Sequence, residues 1–157
     1  MYKEGHLGLS LLIFSFLFIP FGVTFHTLIF IAFSVVFSTL PDLDQKWGIK
    51  HRAYTHNILY GILSGILIGF AFGYYLGFYF GLLMFLAVMG GVMSHLLGDI
   101  IAGQKINGKP WKIKPFRPFS DRSIGLGIFK ASNKKVNKGF LIIGSIVFLV
   151  CMILGIV

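Results

Sequence analysis

The sequence predicts an all-α fold, a polytopic membrane bundle of about five transmembrane helices, and three observations support it. Hydrophobic residues make up 56% of the chain and charged residues only 12%, whereas charged residues are about 25% of a typical soluble domain. The mean hydropathy is +0.85. Apolar runs that suit spans of ~20 residues alternate with shorter polar segments. We therefore expect one membrane-embedded domain that covers residues 1–157.

The first apolar region, residues 7–40, is predicted to fold back on itself. As a single helix it would be about 51 Å long at ~1.5 Å per residue, far more than the ~30 Å hydrocarbon core. The Pro-Phe-Gly sequence at 20–22 favours a reversal, because proline removes a helical donor and glycine permits turn conformations. We expect spans at about 6–19 and 22–40. The alternative is one long tilted helix, which would place the N-terminus on the opposite side of the membrane.

Two further apolar regions supply the other spans. Residues 58–101 are long enough for two helices, and the glycine-rich stretch at 73–81 is the expected break between them. Residues 139–157 make one more span. The single cysteine, Cys151, lies in this last run, which leaves no disulfide framework and no cysteine-based metal site.

All fourteen Lys and Arg residues are predicted to lie on one side of the membrane. With five spans, the N-terminus and the polar segments at 41–57 and 102–138 share that side, and together they carry every basic residue. Cytoplasmic segments next to spans concentrate Lys and Arg. We therefore expect a multi-pass protein of the cell (inner or plasma) membrane, with a cytoplasmic polar face and the C-terminus outside.

Histidines and aspartates gather at the span ends on the same side. His95 and Asp99 are four residues apart, so they project from one face of a helix. Asp42 and Asp44 follow a proline in a non-helical context from which both carboxylates can reach metal ions. Histidine nitrogen with carboxylate oxygen suits zinc and also manganese or iron, and the set is large enough for two or more ions. The candidate metal ligands are His6, Asp42, Asp44, His51, His56, His95 and Asp99.

Other interpretations of these residues stay open. His26 lies in an apolar run with no acidic residue nearby, and we exclude it from the site as an interfacial polar group. The Pro-Asp-Leu-Asp segment at 41–44 could be a turn or a helix cap, and His95 with Asp99 could be a buried pair that holds spans together. An ionisable residue inside a membrane segment is costly, however, and is by default a functional candidate. The convergence of the whole set favours metal binding.

Four short motifs, in this order, resemble those of the YdjM-like family of membrane-bound, metal-dependent hydrolases. They are Gly-His-Leu at 5–7, Leu-Pro-Asp-Leu-Asp at 40–44, His-Arg-x-x-Thr-His at 51–56 and Ser-His-x-x-x-Asp at 94–99. Members are described as LexA-binding, inner-membrane-associated hydrolases, and the family is distantly similar to zinc-dependent phospholipase C. The resemblance covers residues 5–118 and implies a hydrolase site at the seven candidate ligands.

The function we predict is hydrolysis of a phosphoester by water that metal ions activate and orient, with lipid or lipid-linked molecules as candidate substrates. Asp44 or Asp99 would bridge ions or accept the proton. Arg52 would clamp a phosphate oxygen with its planar fork, or else anchor the chain at anionic headgroups. The chain departs from the family's pattern, which often has histidine where this chain has Gln45 and commonly has serine where it has Asn57. The acidic residue that the pattern leads us to expect in the late polar region is missing, with only Asp121 available.

The polar segment at 102–138 is predicted to be a basic interfacial loop. It carries ten basic residues interleaved with Trp111, Phe116 and Phe119, and its three prolines, at 110, 115 and 118, prevent a continuous helix. Such a loop binds anionic membrane lipids and gathers an anionic substrate over the metal ions. Nucleic acid is not the expected partner, because the topology already explains the formal net charge of +9.

Two other functional classes stay open. In one, the ions stabilise a non-catalytic bundle or are carried across the membrane; transport would favour polar residues that continue to the opposite face, where the sequence offers Thr24, His26 and Thr27. In the other, the basic loop tethers a nucleic acid or a regulator, and salt-sensitive binding that survives loss of metal would support it. The sequence does not predict an oligomeric state.

Overall fold

The computed structural model contains the membrane spans that the sequence predicts. It describes residues 1–45, 48, 54–103, 105–106, 109–110 and 112–156. The α-helices in this part of the chain are α1 (Lys3–Phe14), α2 (Phe18–Phe21), α3 (Phe25–Phe37), α4 (Ile58–Leu76), α5 (Phe78–Ile101) and α6 (Lys134–Leu154). Among the described residues, the stretches long and apolar enough to cross a membrane are Lys3–Phe21, Phe25–Asp44, Ile58–Leu76, Phe78–Ile101 and Lys134–Leu154. The prediction of five spans in an all-α fold is confirmed.

The first apolar region reverses direction at Gly22, so the alternative of one long helix is wrong. α1 continues through a 3-10 turn, Ser15–Leu17, into α2, and Gly22 follows with a φ of +69°, a conformation that favours glycine. Thr24 then caps α3, because its hydroxyl accepts from the Thr27 N–H while the Thr27 hydroxyl accepts from the Thr24 N–H. The reversal thus follows Pro20, which lies inside α2.

α4 and α5 form a close antiparallel pair. The break between them is Gly77, with a φ of +91°, inside the predicted stretch at 73–81. A Cβ atom added at Gly81 would lie 2.6 Å from the carbonyl oxygen of Gly69 and 2.7 Å from the Cα of Gly73. The two backbones can approach this closely only because these positions carry no side chain, a common arrangement in membrane bundles.

α1 and α6 pack side by side and run in the same direction. Their backbones meet at Gly8 and Gly144, where a Cβ atom on either glycine would overlap the other helix. At the start of both helices, the Asn137 side-chain oxygen accepts from the Tyr2 N–H at 2.9 Å. The N-terminal segment is therefore held against the first turns of α6.

α6 begins five residues before the predicted span at 139–157. The Asn133 side-chain oxygen accepts hydrogen bonds from the N–H groups of Lys135 and Val136, which caps a helix that starts at Lys134. The prediction that the basic loop extends to residue 138 is therefore wrong at this end. The span was predicted from its run of apolar residues, and such a run does not include a polar first turn of the helix.

Between α5 and α6 the described chain forms only very short strands. β1 (Ala102–Gly103) pairs in parallel with β4 (Phe129–Lys130), and β2 (Lys105–Ile106) pairs antiparallel with β3 (Lys109–Pro110). In the described part of residues 102–133 no helix forms, as the three prolines predict. These two-residue strands do not alter the all-α fold class.

α5 is the central helix of the bundle. Its buried side, which includes Met84, Val88 and Val92, packs against α1, α3 and α4. α1, α4 and α6 begin, and α3 and α5 end, at one end of the bundle, which we call the loop end. The turns at Gly22 and Gly77 define the opposite end, which we call the turn end.

Candidate metal centre

Five of the predicted ligands meet at the loop end. His6 comes from the first turn of α1, Asp42 from a 3-10 helix that follows α3, His56 from the residues before α4, and His95 and Asp99 from the last two turns of α5. Their ligand atoms form two groups, one of His6, Asp42 and His95 and one of His56, His95 and Asp99. Within each group the atoms all lie within 4.8 Å of one another. His95 belongs to both groups, so the two form one centre.

The distances between ligand atoms match those of a metal site. His56 Nε2 lies 3.1 Å from His95 Nε2 and 3.4 Å from Asp42 Oδ1. His6 Nε2 lies 3.6 Å from Asp99 Oδ1 and 3.9 Å from Asp42 Oδ2. Bonds of about 2.0–2.2 Å to a tetrahedral zinc ion place neighbouring ligand atoms roughly 3.3–3.6 Å apart. The arrangement therefore has room for an ion at bonding distance from several of these atoms.

His95 is oriented by the end of α3. Its Nδ1 lies 2.7 Å from the backbone carbonyl oxygen of Ser38, to which only a protonated nitrogen can donate. In the neutral imidazole the proton is then on Nδ1, and Nε2 presents a lone pair to the centre. Gly91 permits this contact, because a Cβ atom there would lie 2.5 Å from the carbonyl oxygen of Ser34 on the facing helix.

His56 is oriented by Thr55 and Asp44. The Thr55 hydroxyl donates to Asp44 Oδ2 at 2.6 Å and lies 2.9 Å from His56 Nδ1. Since the hydroxyl has a single proton, it accepts from His56 Nδ1, and the Nε2 lone pair again faces the centre. A hydrogen-bond acceptor behind a ligating histidine, usually a carboxylate, a backbone carbonyl or water, holds the ring in one tautomer, and the Thr55 hydroxyl takes this place for His56.

His6 completes the centre from α1. Its ring is buried and stacks on the ring of His95, with 3.8 Å between centroids and 14° between planes. Within the part of the chain that the structure describes, neither ring nitrogen of His6 has a hydrogen-bond partner. A buried polar group without such a partner costs free energy. A metal ion bound to a ring nitrogen of His6 would remove this cost. Gly98 makes space for this ring, because a Cβ atom there would lie 3.0 Å from His6 Nδ1.

The chemistry of the donor set fits a divalent cation. Lone pairs of His56 and His95 face each other beside two carboxylates in a buried space, and such groups repel unless a cation lies among them. A positive charge is present at one edge, where the α-ammonium of Met1 donates to Asp99 Oδ1 at 2.6 Å. Imidazole nitrogen combined with carboxylate oxygen suits zinc, manganese or iron.

The other predicted site residues lie beside the centre or outside the described residues. Asp44 is buried behind His56, with Oδ2 3.7 Å from Nδ1 on the side of the ring away from the centre. His51 and Arg52 lie outside the residues that the structure describes. His26, which we excluded from the site, lies in the first turn of α3, at the turn end of the bundle.

Sequence reasoning assigned no role to Ser38 or Thr55. Ser38 acts through its backbone carbonyl, for which a sequence carries no signal. Thr55 stands inside the motif at 51–56, so its position next to His56 was a usable signal. Asn57, one of the departures from the family's pattern, caps α4 by accepting from the Tyr60 N–H at 2.8 Å.

Residues 114–122, which we call the basic segment, lie against the start of α4, next to the centre. The Ile58 N–H donates to the carbonyl oxygen of Pro115 at 2.9 Å. Lys114 Nζ and Arg117 Nε both donate to Asp121 Oδ1, and these hydrogen bonds, that from Lys114 first, hold the pKa of Asp121 below its usual value. Asp121 is thus an ionised partner of the basic segment and lies outside the five-residue centre.

Comparison with known proteins identifies the family. No curated protein and no solved structure matches the chain. The family model described as YdjM inner membrane protein matches residues 1–157, which extends the resemblance from residues 5–118 to the whole chain. Together with five helices long and apolar enough to span a membrane in its described part, this match shows that the chain is a membrane protein and belongs to the YdjM inner membrane protein family.

Proposed function

We propose that this protein is a membrane-bound, metal-dependent hydrolase that cleaves a phosphoester. One observation carries the proposal: His56 Nε2 and His95 Nε2 face each other at 3.1 Å among carboxylate oxygens. Hydrogen bonds on the far sides of both rings place the proton of each neutral imidazole on Nδ1 and leave Nε2 as the nitrogen with the lone pair. Two such lone pairs in a buried space are an arrangement that a cation stabilises.

The ligands are His6, Asp42, His56, His95 and Asp99, and the ions are zinc or, as the second candidate, manganese. Asp99 would help to hold the ions, because Oδ1 lies 3.6 Å from His6 Nε2 while Oδ2 lies 3.6 Å from His56 Nε2. Asp44 positions His56 through Thr55 in this proposal. His51 remains a proposed further ligand.

A bound divalent ion supplies Lewis acidity, which activates water and neutralises the charge of the phosphoester. Of the five ligands, Asp42 has the most accessible side chain, 26% against 1% or less for the other four. Water and substrate would therefore approach from its side, and Asp42 would accept the proton of the attacking water in place of Asp44, which lies behind His56, and Asp99, which is buried. The water oxygen bonds to phosphorus, the ester P–O bond breaks, and the departing alkoxide takes up the proton that the water lost and leaves as the alcohol. Arg52 is proposed to hold a phosphate oxygen or to anchor the chain at headgroups.

The loop end is proposed to face the cytoplasm, with the C-terminus outside. Support comes from the basic residues of the described chain, which lie at the loop end of the spans, as cytoplasmic segments of membrane proteins do. Alkaline phosphatase fused after residue 157 should be active, since it folds only outside the cytoplasm. A green fluorescent protein fused there should stay dark, and the reverse result would overturn the orientation.

The test of function is metal content and turnover of the detergent-purified protein. Wild type is compared with His95→Ala and Asp99→Ala, and His26→Ala serves as a histidine control at the turn end. A generic phosphodiester and a phosphomonoester, both as p-nitrophenyl esters, report hydrolysis. Stoichiometric metal and metal-dependent turnover in wild type and His26→Ala, absent from the other two, is the expected result. Metal without turnover would favour the non-catalytic alternative, and a folded, metal-free wild type would overturn the centre itself.

A further inference from the structure

A groove of about 490 Å³ lies at the loop end beside the metal centre. One wall is the first turns of α4, with Leu59, Tyr60 and Leu63, and the other is the basic segment that carries Arg117 and Asp121. The backbone hydrogen bond between α4 and this segment, described above, keeps the two walls together. The groove is thus built from two elements that belong to the fold, rather than from a single surface loop.

A single turn of chain separates this groove from the metal centre. Tyr54 and Asn57 line the groove, whereas Thr55 and His56, between them in sequence, are buried at the centre. Asn57 holds this turn in shape, because its amide nitrogen donates to the Tyr54 carbonyl oxygen at 2.7 Å while its amide oxygen caps α4. A molecule in the groove therefore lies against the other side of the turn that supplies His56.

The apolar wall of the groove belongs to the surface that α4 turns toward the bilayer. Leu63 is 57% exposed, and Leu67 and Phe70, one and two turns further along the helix, are exposed as well. Side chains at these spacings share one face of a helix. The groove consequently opens at Leu63 onto this lipid-facing surface, and an acyl chain can enter it there without leaving lipid.

The opposite side of the groove has a positive rim. Lys114 and Arg117 share one carboxylate, Asp121, so these three groups carry two positive charges and one negative charge, a net +1. All three side chains are at least one-third exposed and lie where an anion can reach them. The planar guanidinium of Arg117 matches the oxygens of a phosphate group.

We infer that this groove binds a phospholipid of the surrounding bilayer, with its phosphate at Arg117 and one acyl chain along Leu59 and Leu63. An apolar wall that opens into the hydrocarbon and a cationic rim at the interface match the two parts of such a molecule. The groove thereby concentrates phospholipid one turn of chain away from the metal centre, whose Asp42 side remains the route of entry, and points to membrane phospholipids as the substrate class. This last step rests on the proposed hydrolase function, whereas lipid binding does not.

Native mass spectrometry of the full-length protein in detergent, with added phosphatidylglycerol, tests the binding. Leu63→Trp fills the apolar wall, and Arg117→Gln removes the guanidinium while Lys114 still pairs with Asp121. Each should reduce lipid retention by about tenfold, the effect of losing one charged hydrogen bond or one well-packed contact. Leu67→Trp is the matched control, because Leu67 is 70% exposed on the same helix but does not line the groove.

Equal retention in Leu63→Trp and Leu67→Trp, with both variants folded by their thermal unfolding, would overturn the groove as a lipid site. Retention that is unchanged in Arg117→Gln would overturn the assignment of the phosphate. Glycerol 3-phosphate that displaces phosphatidylglycerol at similar concentration would show recognition of phosphate alone, and it would overturn the role of the apolar wall.

Hydrolysis assays separate this inference from the proposed function. If the soluble p-nitrophenyl phosphodiester is cleaved by every groove variant while phosphatidylglycerol in vesicles is cleaved only by wild type and Leu67→Trp, both ideas hold. If wild type cleaves neither but groove variants lose lipid, the groove stands and the hydrolase fails. If all variants cleave both substrates alike, the hydrolase stands and the groove fails.

Discussion

The two halves of α5 differ in what surrounds them, although both are apolar enough to lie in a membrane. In the half near the turn end, Phe78 and Tyr79 point outward, and Tyr79 is 86% exposed. In the half near the loop end, Val92, His95 and Asp99 are buried by neighbouring segments. The histidine and the aspartate of α5 both stand in the half that protein surrounds, because a charge in lipid has no partner. Neighbouring segments of the bundle, rather than lipid, thus surround these polar residues and provide their interaction partners.

Both halves use glycine for close helix contact, but with different results. Gly81 brings α5 against the glycines of α4, and the contact is apolar packing. Gly91 brings α5 against the end of α3, and the contact places the Ser38 carbonyl oxygen at His95. Close packing serves stability alone in one half, and both stability and the orientation of a ligand in the other.

Removing a ligand charge from the loop-end half should have the largest effect. Asp99→Asn keeps the side-chain volume but loses the charge, and metal affinity should fall by more than about 100-fold, since loss of an orienting partner alone costs roughly 10–100-fold. Chelation should lower the unfolding temperature of wild type, because ligand at 100 times its Kd stabilises by about 2.7 kcal/mol. The same chelator should not affect Asp99→Asn. If the chelator left the unfolding temperature of wild type unchanged, this would contradict the binding of a stabilising metal ion at the centre.

Loss of the hydroxyl behind His56 should have the next largest effect. Thr55→Val is nearly the same shape but cannot accept from His56 Nδ1 or donate to Asp44, so metal affinity should fall about 10–100-fold. Thr55→Ser retains the hydroxyl and should restore most of the affinity. Metal titration with a competing chromophoric chelator measures both. Equal affinity in the valine and serine variants would show that the hydroxyl does not position His56.

Glycine substitutions test the comparison of the two halves directly. Gly91→Ala and Gly81→Ala should each destabilise the protein by about 1–3 kcal/mol through overpacking, but only Gly91→Ala should also weaken metal binding. Gly139→Ala is the control, because among the described residues no atom beyond the chain neighbours and the helix's own nearby backbone lies within 4 Å of the added Cβ. Alanine there should be neutral or stabilising. Weaker metal binding in Gly81→Ala would mean that the two halves are coupled.

A histidine at the turn end should matter least. His26→Ala removes an exposed side chain that lies outside both ligand groups, and stability should change by no more than about 0.5 kcal/mol. Metal content and turnover should equal those of wild type. A loss of metal in this variant would place a ligand at the turn end and would revive the idea of a path across the membrane.

The sequence alone determined the spans and both reversals, and it singled out the five candidate ligands that the structure brings together, although it also included Asp44, which lies behind His56, and His51, which lies outside the described residues. Apolar runs set the number of spans, and glycines at 22 and 77 lie in or next to the predicted breaks, because hydropathy and left-handed turns are local properties. Five candidate ligands could be identified because ionisable residues are rare in such a chain. The start of α6 was misplaced, since its first turn is polar and its cap is a local hydrogen bond rather than a hydropathy signal.

Only the tertiary structure decided how the centre is arranged. That Asp44 lies behind His56, that Thr55 and the Ser38 carbonyl set the two tautomers, and that His6 stacks on His95 all depend on how helices pack. The α3–α5 contact at Gly91 sets the orientation of His95, and the turn before α4 sets the orientation of His56. The ring nitrogen that faces the centre is set by partners 1 to 57 residues away in sequence. Residue type supplies the ligands, whereas the distances and directions between them arise from packing.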